Sequence, residues 1–306
     1  MSIKLLLGDL SNGWFLKLSV IEPGRRPGFI AAYSCQSYQD VDAAITAFLA
    51  EIGTSQIHGA AISTSGWEVD GEIDLVHFGF KLNKRQVAER LGVPRLSIVN
   101  DFVAKAMAIP VLDEQDRVLV CGQHTSPDQI VGVVGPNIGL GAAYLSPEGR
   151  AGRVANHSEY GHSDFAAANA TELDIQAFMA KKYGRVSYEH VVSPAGLLDL
   201  WRYFAALDGH PVEEGISSED IIAQGYADDP RALQTIRIQT EVFAGMAANF
   251  ALAVGARSGV YLCGTYLDSI GSLFDDEAFA RRFYYKGRVA SWTPLSTSPN
   301  GGWRRD

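Results

Sequence analysis

The sequence has little cysteine, no long apolar run and no excess of basic residues. Its cysteines (Cys35, Cys121 and Cys263) are odd in number and far apart, which excludes a disulfide framework and a Cys-x-x-Cys zinc site. Lys and Arg number 26 against 35 Asp and Glu, and the formal charge of −9 argues against a nucleic-acid or anionic-membrane binder. Because no apolar run approaches the roughly 18 residues of a membrane span, we expect a cytoplasmic chain with free thiols.

The chain instead alternates short apolar runs with amphipathic segments. Two β-like runs flank an Asn-Gly pair within residues 3–21 and predict a hairpin, and residues 39–52 have apolar side chains at helical spacing. Strand-like runs at 117–122, 130–135 and 141–147, followed by helical segments, repeat this plan. The pattern predicts an α/β protein with two lobes. Proline and charge place the hinge near 110–116, giving a small lobe at 1–109 and a large lobe at 110–306.

Asp9 follows Gly8 at the end of the first predicted strand. A carboxylate beside a glycine turn can hold Mg²⁺ through water, so Asp9 is a candidate metal or phosphate residue. The alternative is an ordinary turn aspartate, which is equally common.

Asn100 and Asp101 lie where a buried strand gives way to a helix. This position projects polar side chains from the carboxyl edge of a sheet, where α/β proteins bind ligands. The alternative interpretation is a pair of residues that cap the helix.

Glu159 and His162 enclose Tyr160-Gly161 in a loop, and Glu189 precedes a predicted helix that begins at Ser193. An acid and an imidazole at this spacing suit either hydroxyl recognition or zinc. Zinc lacks cysteine ligands here, so hydroxyl recognition is favoured. For Glu189 alone, simple solvation ahead of a helix is an equal alternative.

Together these segments resemble the bacterial glucokinase family, from Gly8 to about Arg288. The family has a hexose-binding Asn-Asp-Phe, a Gly-x-Gly-Thr-Gly-Leu-Gly turn, a Glu-Gly-Gly-His loop and a Glu before Leu-Ser-Gly-Pro-Gly. The matching segments here are SIVNDFVAKAMAIP (97–110), VGPNIGLGAAYL (134–145), SEYGHSDFA (158–166), YGRVSYEHVVSPAGLLDLWR (183–202) and FYYKGR (283–288).

The resemblance implies a two-lobed α/β fold of the actin-like, hexokinase (ribonuclease H-like) type with a central cleft. It also implies ATP-dependent phosphorylation of a hexose 6-hydroxyl, with ATP and Mg²⁺, and a homodimer. The sugar contacts carried over are Asn100, Asp101, Glu159, His162 and Glu189, with Asp101 as the catalytic base. The residues on the nucleotide side are Asp9, Gly135, Gly139, Gly264 and Thr265, with Asp9 near the metal.

The departures from the family pattern lie mainly on the nucleotide side. Where the family reads Asp-x-Gly-Gly-Thr-Asn, this chain has Asp9-Leu10-Ser11-Asn12-Gly13-Trp14. Asn137-Ile138 replaces Gly-Thr in the second loop, and Gly264-Thr265-Tyr266 replaces Gly-Gly-Ile in the third. A phosphate cradle needs bare backbone N–H groups at close range, so these side chains predict impaired ATP use.

Two further departures lie elsewhere. His77 stands where the family has Asn near the sugar, and the chain through Asp306 leaves no room for the family's C-terminal return helix.

Three functions therefore stay open from the sequence. The first is a hexose kinase. The second is a sugar sensor or binder derived from a kinase, without ATP turnover. The third is a different reaction on a sugar-like substrate that uses Asp101 and His162 as an acid–base pair.

Overall fold

The computed structural model describes most of the chain: residues 3–11, 15–53, 57–66, 68–75, 79–122, 128–150, 152–210, 215–292 and 296–299. These residues form two compact units, Met1–Ala104 and Lys105–Asp306. The boundary lies a few residues before the position expected from the sequence.

The first unit contains eight described strands and its helices. In chain order they are β1 (Leu5–Leu10), β2 (Phe15–Ile21), β3 (Ala31–Ser34), α1 (Tyr38–Ile52), β4 (Gly59–Thr64), β5 (Glu68–Val69), β6 (Glu72–Leu75), β7 (Phe80–Asn83), α2 (Lys84–Leu91), β8 (Leu96–Asn100) and α3 (Asp101–Ala108), which crosses the boundary.

The main sheet of this unit has the order β3-β2-β1-β4-β8. β1 pairs antiparallel with β2, which confirms the predicted hairpin, and parallel with β4. β4 pairs parallel with β8, so that Asp9 lies opposite Ser63, and Thr64 opposite Asn100. The carboxyl ends of β1, β4 and β8 therefore lie at one edge of the sheet, which carries Asp9 and Asn100. Val41, Ile45 and Phe48 of α1 are buried against the sheet core.

A separate three-stranded sheet, with the order β5-β6-β7, was not predicted from the sequence. Its first two strands are joined by Asp70 and Gly71, both with positive φ, at 53° and 82°. Two consecutive positive φ values match the turn that two-residue hairpins prefer, and Asp-Gly is a favoured pair for it.

The second unit contains six strands and six helices within its described residues. They are β9 (Arg117–Cys121), β10 (Val131–Pro136), β11 (Leu140–Leu145), β12 (Ala155–Ser158), α4 (Ala170–Tyr183), α5 (Pro194–Leu207), α6 (Ser218–Tyr226), α7 (Pro230–Val254), β13 (Val260–Leu262), α8 (Thr265–Ile270), α9 (Asp276–Phe283) and β14 (Ser296–Pro299). The strands form one sheet of order β12-β11-β10-β13-β14-β9.

The predicted β10–β11 hairpin is confirmed, and it lies between β12 and β13 in this sheet. β10 also pairs parallel with β13. The predicted helix starts are confirmed, because Ser193 accepts a hydrogen bond from the Gly196 N–H, and Ser217 caps α6 in a capping box. The strand β12 and the short helix α8 were not predicted.

The cysteines and the helices bear on two features that the composition argues against, disulfides and membrane spans. Cys35 and Cys121 are buried and Cys263 is half-buried, and none of the three forms a disulfide. Among the described helices, none has both the length and the apolar character that a membrane crossing requires.

Candidate functional site

Two carboxylates flank one imidazole in the second unit. His162 Nε2 lies 3.6 Å from Glu159 Oε2 and 3.8 Å from Glu189 Oε2. All three side chains are partly exposed, so their polar atoms are accessible to a ligand. The structure therefore brings together the three large-unit residues that the sequence predicts, and it supplies carboxylate acceptors beside an imidazole that can donate or accept.

The backbone of the β10–β11 turn holds Glu189. The Leu140 N–H donates to Glu189 Oε2 across 2.8 Å. A Cβ atom at Gly139 would overlap that same oxygen, so the close approach requires glycine here. The Glu189 N–H also donates to the Gly161 carbonyl at 2.9 Å. The carboxylate is consequently fixed by its neighbours rather than solvated ahead of a helix.

Glu159 directly precedes a short helical turn, Tyr160–His162, that follows β12, and His162 ends it. The turn closes through the His162 N–H, which donates to the Glu159 carbonyl, and the Ser163 N–H, which donates to the Tyr160 carbonyl. A Cβ at Gly161 would overlap the Leu140 carbonyl oxygen, because the turn packs directly on β11. Glycine at this position thus permits the contact between the two halves of the site.

His157 is a member of the cluster that the sequence did not indicate. It lies on β12, and its Nε2 is 3.3 Å from Glu159 Oε1. Glu159 therefore has an imidazole near each of its two oxygens. The signal available in the sequence was the spacing of His157 and Glu159, which places both side chains on the same side of an extended segment.

A third imidazole, that of His190, directly follows Glu189 in the sequence. Burial lowers the pKa of His190, and its Nδ1 accepts a hydrogen bond from the Ser187 N–H at 3.1 Å. Its ring stacks on Tyr183 with a centroid separation of 4.0 Å. The stacking and the hydrogen bond together fix the orientation of the His190 ring.

In the first unit, Asn100 and Asp101 lie at the junction of β8 and α3. Asn100 Oδ1 accepts a hydrogen bond from the Phe102 N–H at 2.9 Å, so the capping alternative is confirmed for Asn100. Asp101 begins α3 and its side chain is buried, at 6% exposure. A buried carboxylate in the first turn of a helix is stabilised by the positive end of the helix dipole.

Asp9 accepts two hydrogen bonds on the same oxygen. Ser11 Oγ donates to Asp9 Oδ1 at 2.5 Å, and Ser63 Oγ donates to it at 2.7 Å. Ser11 is buried, at 5% exposure, with its hydroxyl directed at this carboxylate. The side chain that replaces the family's first loop glycine is therefore packed against Asp9.

The second and third loops are joined by side chains. Thr265 Oγ1 donates to Asn137 Oδ1 at 2.8 Å, and the Asn137 N–H donates to the Gly139 carbonyl at 2.8 Å. Gly264 has a φ of 134°, and a Cβ there would overlap the Pro136 carbonyl oxygen. A Cβ at Gly135 would overlap the Cys263 carbonyl oxygen. The glycines of these loops thus meet close backbone contacts.

Several predicted residues lie outside the described part of the chain. They are Asn12, Gly13 and Trp14 of the first loop, His77, and residues 300–306 at the end of the sequence.

The described residues could hold magnesium only if a bound nucleotide supplied some of the ligands of the ion. Among them, no group of three or more His, Cys, Asp or Glu side chains could hold a metal ion. Magnesium often takes one or two carboxylates, retains several waters and completes its shell with substrate phosphates. Asp9 fits the role of that single carboxylate, and the ion would neutralise phosphate charge there.

A surface cavity of 770 Å³ in the first unit contains none of the predicted site residues. Its lining includes Lys84, Arg85 and Arg95. Lys84 is paired with Glu68 at 2.6 Å, and Arg85 with Glu89 at 2.9 Å. Two of these three cations are therefore already paired with carboxylates.

Comparisons with known proteins find one family along most of the chain. A family model described as Glucokinase matches residues 12–294. The Glucokinase-like protein of Caulobacter vibrioides is 32% identical over 281 residues, which cover 92% of this chain and 87% of that protein. The Glucokinase of Chromobacterium violaceum is 32% identical over 267 residues, which cover 86% of this chain and 75% of that protein.

Solved structures share the fold. The glucokinase from an Antarctic psychrotroph matches with a TM-score of 0.85 at 21% identity, covering 100% of this chain and 96% of that one. A second match is the ROK family glucokinase from Streptomyces griseus in complex with glucose and AMPPNP. Its TM-score is 0.62 at 18% identity, and the match covers 96% of this chain and 94% of that one. The predicted actin-like α/β fold is confirmed, and the chain belongs to the glucokinase family.

Proposed function

We propose that this chain binds a hexose through Glu159, His162 and Glu189, and that Asp101 is the base for phosphorylation of the sugar 6-hydroxyl. The proposal rests chiefly on Glu189, whose carboxylate is fixed beside His162 by the Leu140 N–H. A fixed carboxylate accepts hydrogen bonds from neighbouring sugar hydroxyls without first being ordered. The relatives named glucokinase support the same chemistry, and the Streptomyces griseus structure with glucose makes glucose the first ligand to test.

In the proposed reaction, ATP supplies the phosphoryl group and Mg²⁺ neutralises its charge. Asp101 accepts the proton of the 6-hydroxyl, so that the sugar oxygen becomes a stronger nucleophile. Its burial strengthens its electrostatic interactions, because little water surrounds it. Asn100 holds the start of α3 through the Phe102 N–H and thereby fixes the carboxylate's position. Glu159 and Glu189 accept hydrogen bonds from ring hydroxyls.

We propose further that the chain uses ATP poorly compared with other members of its family. Ser11 carries a side chain where the family loop has bare backbone, and Asn137 engages the Thr265 hydroxyl. Each lost hydrogen bond to a charged phosphate weakens binding by about 1.5–3 kcal/mol. A sugar binder without ATP turnover is the second candidate, and these two contacts favour it.

Titration calorimetry with glucose tests the sugar site. We expect glucose to bind, and Glu159→Gln to weaken binding by about 1.5–3 kcal/mol because a charged hydrogen-bond acceptor is lost. Asp164→Asn is the matched control, since Asp164 is an exposed carboxylate on the same loop that pairs with Arg185. If Glu159→Gln and Asp101→Asn leave the affinity for every tested hexose unchanged, the site is wrongly assigned.

A coupled kinase assay with ATP and a panel of hexoses tests the nucleotide side. The variant Ser11→Gly/Asn12→Gly/Gly13→Thr restores the family loop, and we expect turnover to rise strongly in it. Robust turnover by the unmodified protein would contradict impaired ATP use and leave an ordinary hexose kinase. Sugar binding without turnover in either protein would support the second candidate.

A further inference from the structure

Tyr160 occupies the position that is glycine in the family's Glu-Gly-Gly-His loop. Its ring does not point to solvent but packs, partly buried, against the core of the second unit. The ring stacks on Tyr188 with a centroid separation of 6.3 Å and an interplanar angle of 20°. It also contacts Phe250 of α7, with the centroids 5.3 Å apart. The turn between Glu159 and His162 is thus attached to the core by an aromatic side chain.

The partner ring, Tyr188, is itself held rigidly. Tyr188 is almost fully buried, at 1% exposure. Its hydroxyl accepts a hydrogen bond from Asn249 Nδ2 at 2.7 Å, and its ring meets Phe165 edge-on at 5.8 Å. Lys286 Nζ donates to Asn249 Oδ1 at 2.5 Å. Tyr188 therefore gives Tyr160 a surface with a fixed position.

Each tyrosine of the stacked pair is the sequence neighbour of one glutamate of the site. Tyr160 follows Glu159, and Tyr188 precedes Glu189. The backbone segments are also bonded, because the Tyr188 N–H donates to the Ser163 carbonyl and the Glu189 N–H to the Gly161 carbonyl. The stacked rings lie on the core side of these bonds, so the turn is held from both its backbone and its side chain.

We propose that Tyr160 is a positioning residue that fixes Glu159 and His162 for hexose recognition, and that it makes this half-site more rigid than the family's glycine would. The proposal rests on the proposed hexose binding. A glycine at 160 has greater backbone freedom and no ring in the core. A site whose acceptors are fixed before binding discriminates better between sugars that differ in one hydroxyl orientation. Tyr160 thus acts on selectivity through Glu159 and His162.

Three variants separate positioning from general stability. Tyr160→Gly removes the ring, whereas Tyr160→Phe keeps it and removes only the hydroxyl. Phe178→Leu is the stability control, because Phe178 packs edge-on against Tyr203 at 5.5 Å, in a different part of the same core. Thermal unfolding of all three variants shows how much stability each one loses.

Amide-resolved hydrogen exchange gives a readout that needs no ligand. The N–H groups of His162 and Ser163 close the turn, so their exchange reports on its order. We expect Tyr160→Gly to exchange at these amides about tenfold faster than Phe178→Leu, and Tyr160→Phe to match the unmodified protein. Equal exchange in Tyr160→Gly and Phe178→Leu would overturn the proposal.

Calorimetry with glucose, mannose and galactose gives the functional readout. We expect Tyr160→Gly to weaken the preferred sugar about tenfold and to reduce its preference over the others, while Tyr160→Phe and Phe178→Leu keep both. An unchanged affinity and preference in Tyr160→Gly would overturn the proposal. If the unmodified protein binds no hexose, the proposed function fails, and the proposed role in hexose recognition fails with it. The exchange rates then report separately on whether Tyr160 anchors the turn.

Discussion

Thr265 donates its hydroxyl hydrogen to the side-chain oxygen of Asn137 across 2.8 Å. The bond joins the β10–β11 turn to the first residue of α8. Both residues have side chains with hydrogen-bonding atoms where the family loops have glycine. The two loops therefore satisfy each other's polar groups, and a phosphate would have to compete with this contact.

The first prediction concerns that contact. The variant Asn137→Gly/Ile138→Thr removes the Asn137 acceptor and restores the family's hydroxyl. We expect its affinity for ATP–Mg²⁺ to rise about tenfold or more, because one hydrogen bond to a charged phosphate contributes about 1.5–3 kcal/mol. Titration calorimetry measures the change. Ile138→Val is the control, since it keeps Asn137, and equal affinities in the two variants would contradict the prediction.

The second prediction concerns the space beside Glu189. Gly139→Ala places a Cβ against Glu189 Oε2, so the carboxylate must leave its position near Leu140 and His162. We expect glucose binding to weaken by about 1.5–3 kcal/mol, the contribution of a charged hydrogen bond. Gly149→Ala is the matched control, because nothing lies nearer than 3.9 Å to its added Cβ. Calorimetry compares them, and a Gly139→Ala protein with undiminished affinity would show that Glu189 does not contact sugar.

The third prediction concerns pH. Burial, with a smaller effect of nearby Arg282, lowers the pKa of Lys286 to about 8, and Glu172 acts in the opposite direction. The unfolded lysine has a pKa of about 10.4. Between these values the unfolded chain binds more protons, so this residue makes stability rise as pH increases from about 8 to about 10. Urea unfolding across this range should show the rise.

Lys286→Met removes the titrating group and provides the comparison. We expect the difference in unfolding free energy between Lys286→Met and the unmodified protein to change with pH in this window. Buried tyrosines such as Tyr266, whose pKa is raised by burial, act oppositely above about pH 10 in both proteins. A pH-independent difference would mean that Lys286 has an ordinary pKa.

The fourth prediction concerns the buried ion pair of Arg282 and Glu172, with a separation of 3.3 Å. Glu172 is 1% exposed and also accepts a hydrogen bond from the Ala168 N–H at 2.7 Å. Glu172→Gln leaves the Arg282 charge buried without its partner, which costs about 3–5 kcal/mol of stability. Glu89→Gln breaks the exposed pair with Arg85 and should cost at most about 1 kcal/mol. Urea unfolding at neutral pH distinguishes them, and similar losses would contradict the prediction.

Local signals predicted most of the larger elements. The hairpin of residues 3–21 follows from two apolar runs around Asn-Gly, and the starts of α5 and α6 follow from Ser193 and Ser217. The strands β5, β6 and β7 were missed because each has at most four residues. Their Asp70-Gly71 turn was the signal that could have found them. α8, with six residues, is too short for helical periodicity to be visible.

The candidate site was predicted in its residue types more than in its contacts. Motif resemblance identified Glu159, His162 and Glu189, but the support of Glu189 by Leu140 joins residues 49 positions apart. No local pattern reports such a contact. The position of Ser11 was likewise unpredictable: the sequence shows a side chain where glycine is expected, but only the fold shows its hydroxyl directed at Asp9.

Gly135 has a consequence for how glycine motifs are interpreted. Its missing Cβ makes room for the Cys263 carbonyl, a backbone atom of the neighbouring strand connection that cannot move aside. Glycine is needed there because two chain segments cross at close range. The same need would exist in a protein that binds no nucleotide. A motif score that counts this glycine as a sign of ATP binding therefore measures the architecture of the sheet, and side chains such as those of Ser11 and Asn137 are the better indicators of chemistry.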